Sequence, residues 1–122
     1  MKSDYRSERL KPERLERLVR AGRVVLLRNR KRRIRPVAVG EGTRVKVNAN
    51  IGTSPDQSDI RTELEKLRVA VEAGADTVMD LSVGGDVDEV RRAIIAESKV
   101  PVGTVPIYQV ALDARRRGKS FV

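Results

Sequence analysis

The chain has 122 residues, 39% hydrophobic and 35% charged, with a formal charge of +9, no cysteine and no histidine. That length suffices for one small core, and the missing residue types exclude disulfides, thiolate clusters, imidazole bases and the commonest zinc ligands. Up to Arg35 there are 14 Lys and Arg against 4 Asp and Glu, a balance of +10, whereas the remainder has 12 against 13.

The start, MKSDYRSERL, carries no apolar block resembling a signal peptide, and no apolar run approaches the roughly 20 residues that cross a bilayer. A soluble, cytoplasmic protein is expected. Leu10, Leu15, Leu18 and Val19 set among Glu and Arg predict a short amphipathic helix over about 12–21, with Pro12 in its first turn and Gly22 as its stop. VVLL (24–27) reads as a short strand. RNRKRRIR (28–35) is then a charged loop or hairpin, and PVAV (36–39) a returning strand.

From Val45 the pattern becomes an alternation of strands and helices, so 1–44 is expected as a basic helix-and-hairpin segment and 45–122 as a second unit. VKVNAN (45–50) is predicted as a strand with Val45, Val47 and Ala49 on one side and Lys46, Asn48 and Asn50 on the other. IGTSPDQ follows as a loop. A helix is expected from Ser58 or Asp59, with Ile60, Leu64, Leu67 and Val71 along one face, ending at Gly74. TVMDL (77–81) is the next strand and SVGG a turn, and Asp86 with Glu89 opens a helix whose stripe is Val87, Val90 and Ile94. VGTVP (102–106) is a third strand, and IYQVALDARRRGKS a third helix with arginines near its C-terminal end.

Alternating strands and helices imply parallel pairing by right-handed crossovers, an α/β architecture. A closed barrel of this kind takes eight such units, so three amount to a partial (β/α) barrel. Ligands of parallel α/β folds lie beyond the carboxyl ends of the strands. Those ends are Asn48 to Ser54, Met79 to Gly85 and Thr104 to Tyr108. Two successive amides at the first need a hydrogen-bond network or a ligand with polar edges. Met79 reads either as core filler or as a soft surface for a flat ring. Asp80 and Asp86 could take a cation or a ribose hydroxyl, although helix capping accounts for Asp86. Gly84 and Gly85 could approach an anion, or simply make a tight turn. Tyr108 adds a phenol and a ring face. The chemistry available is a polar pocket without a catalyst.

VKVNANIGTS, GADTVMDLSVGGD and VPVGTVPIYQ, in that order, resemble the phosphomethylpyrimidine synthase family, radical S-adenosylmethionine lyases of thiamine biosynthesis. The similarity is strong over Val45 to Gln109 and looser back to Lys11. It implies an amino-terminal and early-barrel portion of an enzyme that converts aminoimidazole ribotide to hydroxymethylpyrimidine phosphate. It also implies substrate-binding roles for Asn50, Met79 and Tyr108. In the intact family S-adenosylmethionine and an iron-sulfur cluster serve as cofactors, but the later strands, the metal-binding histidines and the three-cysteine motif have no counterpart here. Asn29 would match a loop asparagine of the relatives, whose neighbouring histidine is absent. The expectation is a chain that is inactive alone, binds no cofactor or metal, and either self-associates or needs the missing C-terminal portion. The alternative is a repurposed basic module binding nucleic acid through 28–35; with almost no aromatics for stacking, nucleic acid is the weaker partner.

Overall fold

The structure is a computed structural model that describes residue 8 and residues 10–120. Its first part is a helix, α1 (Pro12–Arg20), and an antiparallel hairpin of β1 (Val24–Leu27) and β2 (Val37–Gly40). Pro12 opens α1, where a missing N–H costs nothing. Leu15 and Leu18 of α1 pack with Val24 and Ala38 of the hairpin into a small core of their own.

The second part is a parallel sheet in the order β3 (Asn48–Ile51), β4 (Thr77–Asp80), β5 (Val102–Thr104). Helix α2 (Ile60–Glu72) joins β3 to β4, α3 (Val87–Glu97) joins β4 to β5, and α4 (Pro106–Arg116) follows β5. The chain is therefore mixed α/β, with four helices and a three-stranded parallel sheet among the described residues.

The helices begin where the sequence supplies acceptors. Asp59 takes N–H bonds from Arg61 and Thr62 at the start of α2, and Asp86 takes one from Glu89 at the start of α3. The hydrogen bond from the Thr62 hydroxyl, ahead of the backbone bonds, holds the Asp59 carboxyl below its ordinary range. The third helix starts one residue earlier than the sequence suggests, because Pro106 sits in its first turn instead of leaving the strand.

The predicted first strand of the second part also shifts. Only Asn48–Ile51 pair with β4, while Val45 and Val47 are exposed and pack on no helix. Their place before the ladder is taken up by polar links. Asp76, just ahead of β4, accepts the Val47 N–H at 2.8 Å and pairs with Arg44. Glu8 is buried and accepts from Lys46 Nζ at 2.8 Å and from the Arg44 N–H at 3.0 Å. A segment that looked like a continuous strand is thus held at its front by charges and at its back by the sheet.

Ile51, Val78, Leu67, Val90 and Ile94 form the main core, with Ala49, Leu64, Val71 and Val102 against it. Val78 and Ile94 are wholly buried; each contributes on the order of 1.5–3 kcal/mol of apolar burial. Both α2 and α3 therefore lie on one face of the sheet. Among the described residues no helix is long and apolar enough to cross a membrane.

The Arg44 side chain, then the Val47 N–H and the nearby Lys46, hold the Asp76 carboxyl below its ordinary range against the effect of burial. A depressed folded value means stabilisation that is complete above the unfolded value and lost as pH falls through the folded one. Asp76→Asn should thus lower the urea midpoint at neutral pH and flatten its decline into acid, measured as midpoints across that range. At Gly84 an added Cβ would meet Ser54 O at 1.9 Å, a backbone atom that cannot swing aside. Gly84→Ala should cost about 1–3 kcal/mol in the same assay.

Candidate functional site

Parallel register puts residues of neighbouring strands in rows, and alternate rows face opposite ways. Ala49, Val78 and Val102 form one row, and Ile51, Asp80 and Thr104 another; these face α2 and α3. Asn50, Met79 and Gly103 form the intervening row, with Asn48 beside Thr77 behind it. This second face is polar and less covered, since Asn48 and Asn50 are exposed and Thr77, Met79 and Gly103 half-buried.

The two asparagines satisfy each other in part. Thr77 Oγ1 donates to Asn48 Oδ1 at 2.8 Å, and Asn48 Nδ2 donates to Asn50 Oδ1 at 3.0 Å. The chain of bonds runs toward the carboxyl end of the sheet and stops at Asn50, whose own amide N–H groups have no partner among the described residues. Asn50 therefore presents two donors at the rim.

Met79 is bent across its neighbour. A Cβ placed on Gly103 would lie 2.9 Å from Met79 Sδ and 3.0 Å from Cε, so the glycine leaves the space the thioether occupies. Behind it, a cavity of about 240 Å³ is lined by Met79, Asn48, Thr77 and Gly103 and bounded by Leu27 and Arg28 at the end of β1. Met79 lines this cavity, whereas Asn50 and Tyr108 do not. Tyr108 stands in the first turn of α4, which leaves the carboxyl end of β5, and is 44% exposed. The register thus brings Asn50 and Met79 side by side, with Tyr108 on the helix that departs from the same rim.

Other carboxyl-end residues have different tasks. Asp86 is a helix cap, and Gly84 lies against the Ser54 backbone; Thr53 Oγ1 donates to the Gly84 carbonyl at 2.7 Å. The glycine pair is used to lay two loops together. Asp80 faces the helices, where its Oδ1 accepts from the Ser82 N–H and hydroxyl.

Three polar residues that the sequence reading passed over organise this rim. Glu63 is almost wholly buried on α2 and accepts the Gly52 N–H at 2.7 Å, fixing the loop after β3. Ser82 Oγ accepts the Thr53 N–H at 3.1 Å and so ties that loop to the one after β4. Arg91 lies on α3 beside Asp80. A signal existed for two of them: Glu63 is three residues after Ile60 and four before Leu67, and Arg91 is four after Val87 and three before Ile94. A charge on an apolar stripe is buried, and a buried charge needs a partner.

In the basic loop, Asn29 Oδ1 accepts the N–H groups of Lys31 and Arg32. The Arg32 guanidinium donates to the carbonyls of Ile95 and Ser98 at the end of α3, the negative end of its dipole. Among the described residues no group of three or more His, Cys, Asp or Glu could hold a metal ion.

Comparison with known proteins adds a family. The model of the radical SAM ThiC family matches residues 1–122. Proteins named phosphomethylpyrimidine synthase are similar over most or all of the chain: that of Methanopyrus kandleri is 55% identical over 94% of this chain and 27% of its own length. That of Geobacter metallireducens is 54% identical over 100% of this chain and 28% of its own, and that of Thermodesulfovibrio yellowstonii 57% identical over 84% and 24%. The chain spans less than a third of the length of these curated relatives.

The Met79 packing is testable without a ligand. Gly103→Ala meets only the flexible end of Met79, so its stability should stay within about 1 kcal/mol of the parent. The carbon-13 methyl resonance of Met79, one of two methionines in the chain, should move. An unmoved resonance would mean that Met79 does not lie over Gly103.

Proposed function

The chain belongs to the radical SAM ThiC family, and from that premise we propose that it forms part of the substrate pocket of a phosphomethylpyrimidine synthase. The reaction is conversion of aminoimidazole ribotide to hydroxymethylpyrimidine phosphate in thiamine biosynthesis. The observation that carries the reading is the row Asn50, Met79, Gly103 at the carboxyl end of the parallel sheet, with Tyr108 on the helix that leaves that end.

The three strands are the opening strands of a (β/α) barrel whose interior is the polar face. On this reading 45–122 is the barrel portion and 1–44 an appended basic segment. Asn50 turns its free amide donors toward the polar edge of the substrate. Met79, its thioether laid flat over Gly103, packs against the imidazole ring, since sulfur and an aromatic surface attract. The Tyr108 phenol donates or accepts at the rim. These residues bind and orient; none is a proton-transfer or radical-forming group.

S-adenosylmethionine and an iron-sulfur cluster supply the radical chemistry of the intact family. The residues of this chain do not fit the cluster, because the chain has neither cysteine nor histidine. Radical initiation belongs to the remainder of the enzyme, which is also the partner that covers the polar face. A nucleic-acid role for 28–35 finds less support, since Arg32 is committed to the end of α3.

Isothermal titration of aminoimidazole ribotide into the chain mixed with the carboxyl-terminal portion of a phosphomethylpyrimidine synthase tests the reading. Binding should require both components. Asn50→Ala and Tyr108→Phe should each weaken it about tenfold, the worth of roughly one hydrogen bond. Binding that neither substitution changes would overturn the assignment.

A further inference from the structure

We propose that Arg91 is a positioning residue that sets the placement of Tyr108 by clasping the first turn of α4. The proposal rests on the reading of Tyr108 as a rim contact, and it starts from how α4 is held. That helix contributes no buried residue, so apolar packing does little to fix it. It is fastened by polar bonds at its two ends.

At the far end Arg116 Nη2 donates to the Gly85 carbonyl at 3.0 Å. At the near end the fastening is a closed ring of three side chains. Arg91 Nη1 donates to Gln109 Oε1 at 2.6 Å, Gln109 Nε2 donates to Asp88 Oδ1 at 2.9 Å, and the same Asp88 oxygen lies 3.5 Å from Arg91 Nη1. Gln109 is the residue next to Tyr108. With both faces of its amide engaged, it fixes the rotation of the turn that carries the ring.

What makes Arg91 a strut instead of a surface arginine is the carboxylate behind it. Asp80, at the end of β4, is 3% exposed. Its Oδ1 is taken by Ser82, while Oδ2 and the buried Arg91 Nε have no hydrogen-bond partner among the described residues and face each other at 4.0 Å. A buried carboxylate deprived of its cation is strongly disfavoured, so Arg91 is kept over the end of β4. The planar guanidinium then leaves its Nη side aimed at α4, in the one direction that meets Gln109. The sheet that bears Met79 and the helix that bears Tyr108 are in this way registered through one side chain.

The test reads Tyr108 directly and without ligand. With Tyr5→Phe as background, Tyr108 is the sole tyrosine, and 3-fluorotyrosine labelling gives a single fluorine resonance from it. Arg91→Lys keeps a cation beside Asp80 but loses the fork, and Gln109→Met opens the clasp from the helix side without touching Asp80. Both should shift or broaden the resonance while the thermal midpoint stays near the parent's. Arg92→Met, at an exposed neighbour, should leave it unchanged. A resonance indifferent to both Arg91→Lys and Gln109→Met would overturn the proposal. Since the signal is ligand-free, it separates failure of the clasp from failure of substrate binding at Tyr108.

Discussion

Side chains on adjacent parallel strands alternate in step, so a three-stranded sheet of fixed register has two faces whose chemistry is decided row by row. Here one face is Ala49, Ile51, Val78 and Val102 against the helices, and the other is Asn48, Asn50, Thr77 and Met79. Sliding β3 by a single residue would bury the asparagines beneath α2 and lift Ile51 to the polar side. The register is therefore strongly specified, and with it the juxtaposition of Asn50 and Met79. The geometry of the whole site depends on this register.

Register fixes rows but not loops, and the loops at the carboxyl end are fixed by buried polar groups. Glu63 holds Gly52, Ser82 holds Thr53, and Asp80 holds Ser82. Each bond satisfies a backbone or hydroxyl group that would otherwise be stranded away from water, at about 1–3 kcal/mol apiece. The result is that the loops after β3 and β4 run together: Leu81 N–H donates to the Ile51 carbonyl and Val83 N–H to that of Thr53. Glycine at 84 permits the closest approach. A rim assembled this way is held together by polar bonds.

Much of this was legible in the sequence because periodicity reports burial. The stripes of α2 and α3, the start of α2 near Asp59, the cap at Asp86, the hairpin strands and the alternation through Asn48 and Asn50 all follow from spacing. What escaped had a common cause. Val45 and Val47 have the strand pattern, yet the segment is anchored just ahead of the ladder by Asp76 and Glu8, and such partners lie some 30 residues away in sequence. Pro106 was read as an exit from a strand when its fixed φ suits a first helical turn equally well. Glu63 and Arg91 interrupt apolar stripes, a local anomaly that is visible in one dimension but whose partners, Gly52 and Asp80, are assigned only by the fold. For the site, the row of Asn50 and Met79 was readable, whereas the tie from Arg91 to Gln109 was not, because nothing in either helix's own pattern requires the other.

The polar face also bears on how the chain is completed. Parallel sheets are stable when both faces are covered, and here only the apolar one is packed by helices. Val25, Val39, Ile107 and Val110 are exposed as well. A second copy laid against the asparagine face would set amides opposite amides and leave Asn50 no better satisfied. Further strands that continue the ladder beyond β5 would instead extend the same alternation, polar inward and apolar outward, and close the hollow around a ligand. On the proposed reading, that difference favours strands of the kind the longer relatives carry over self-association, because a flat interface would leave the donors of Asn50 unmet.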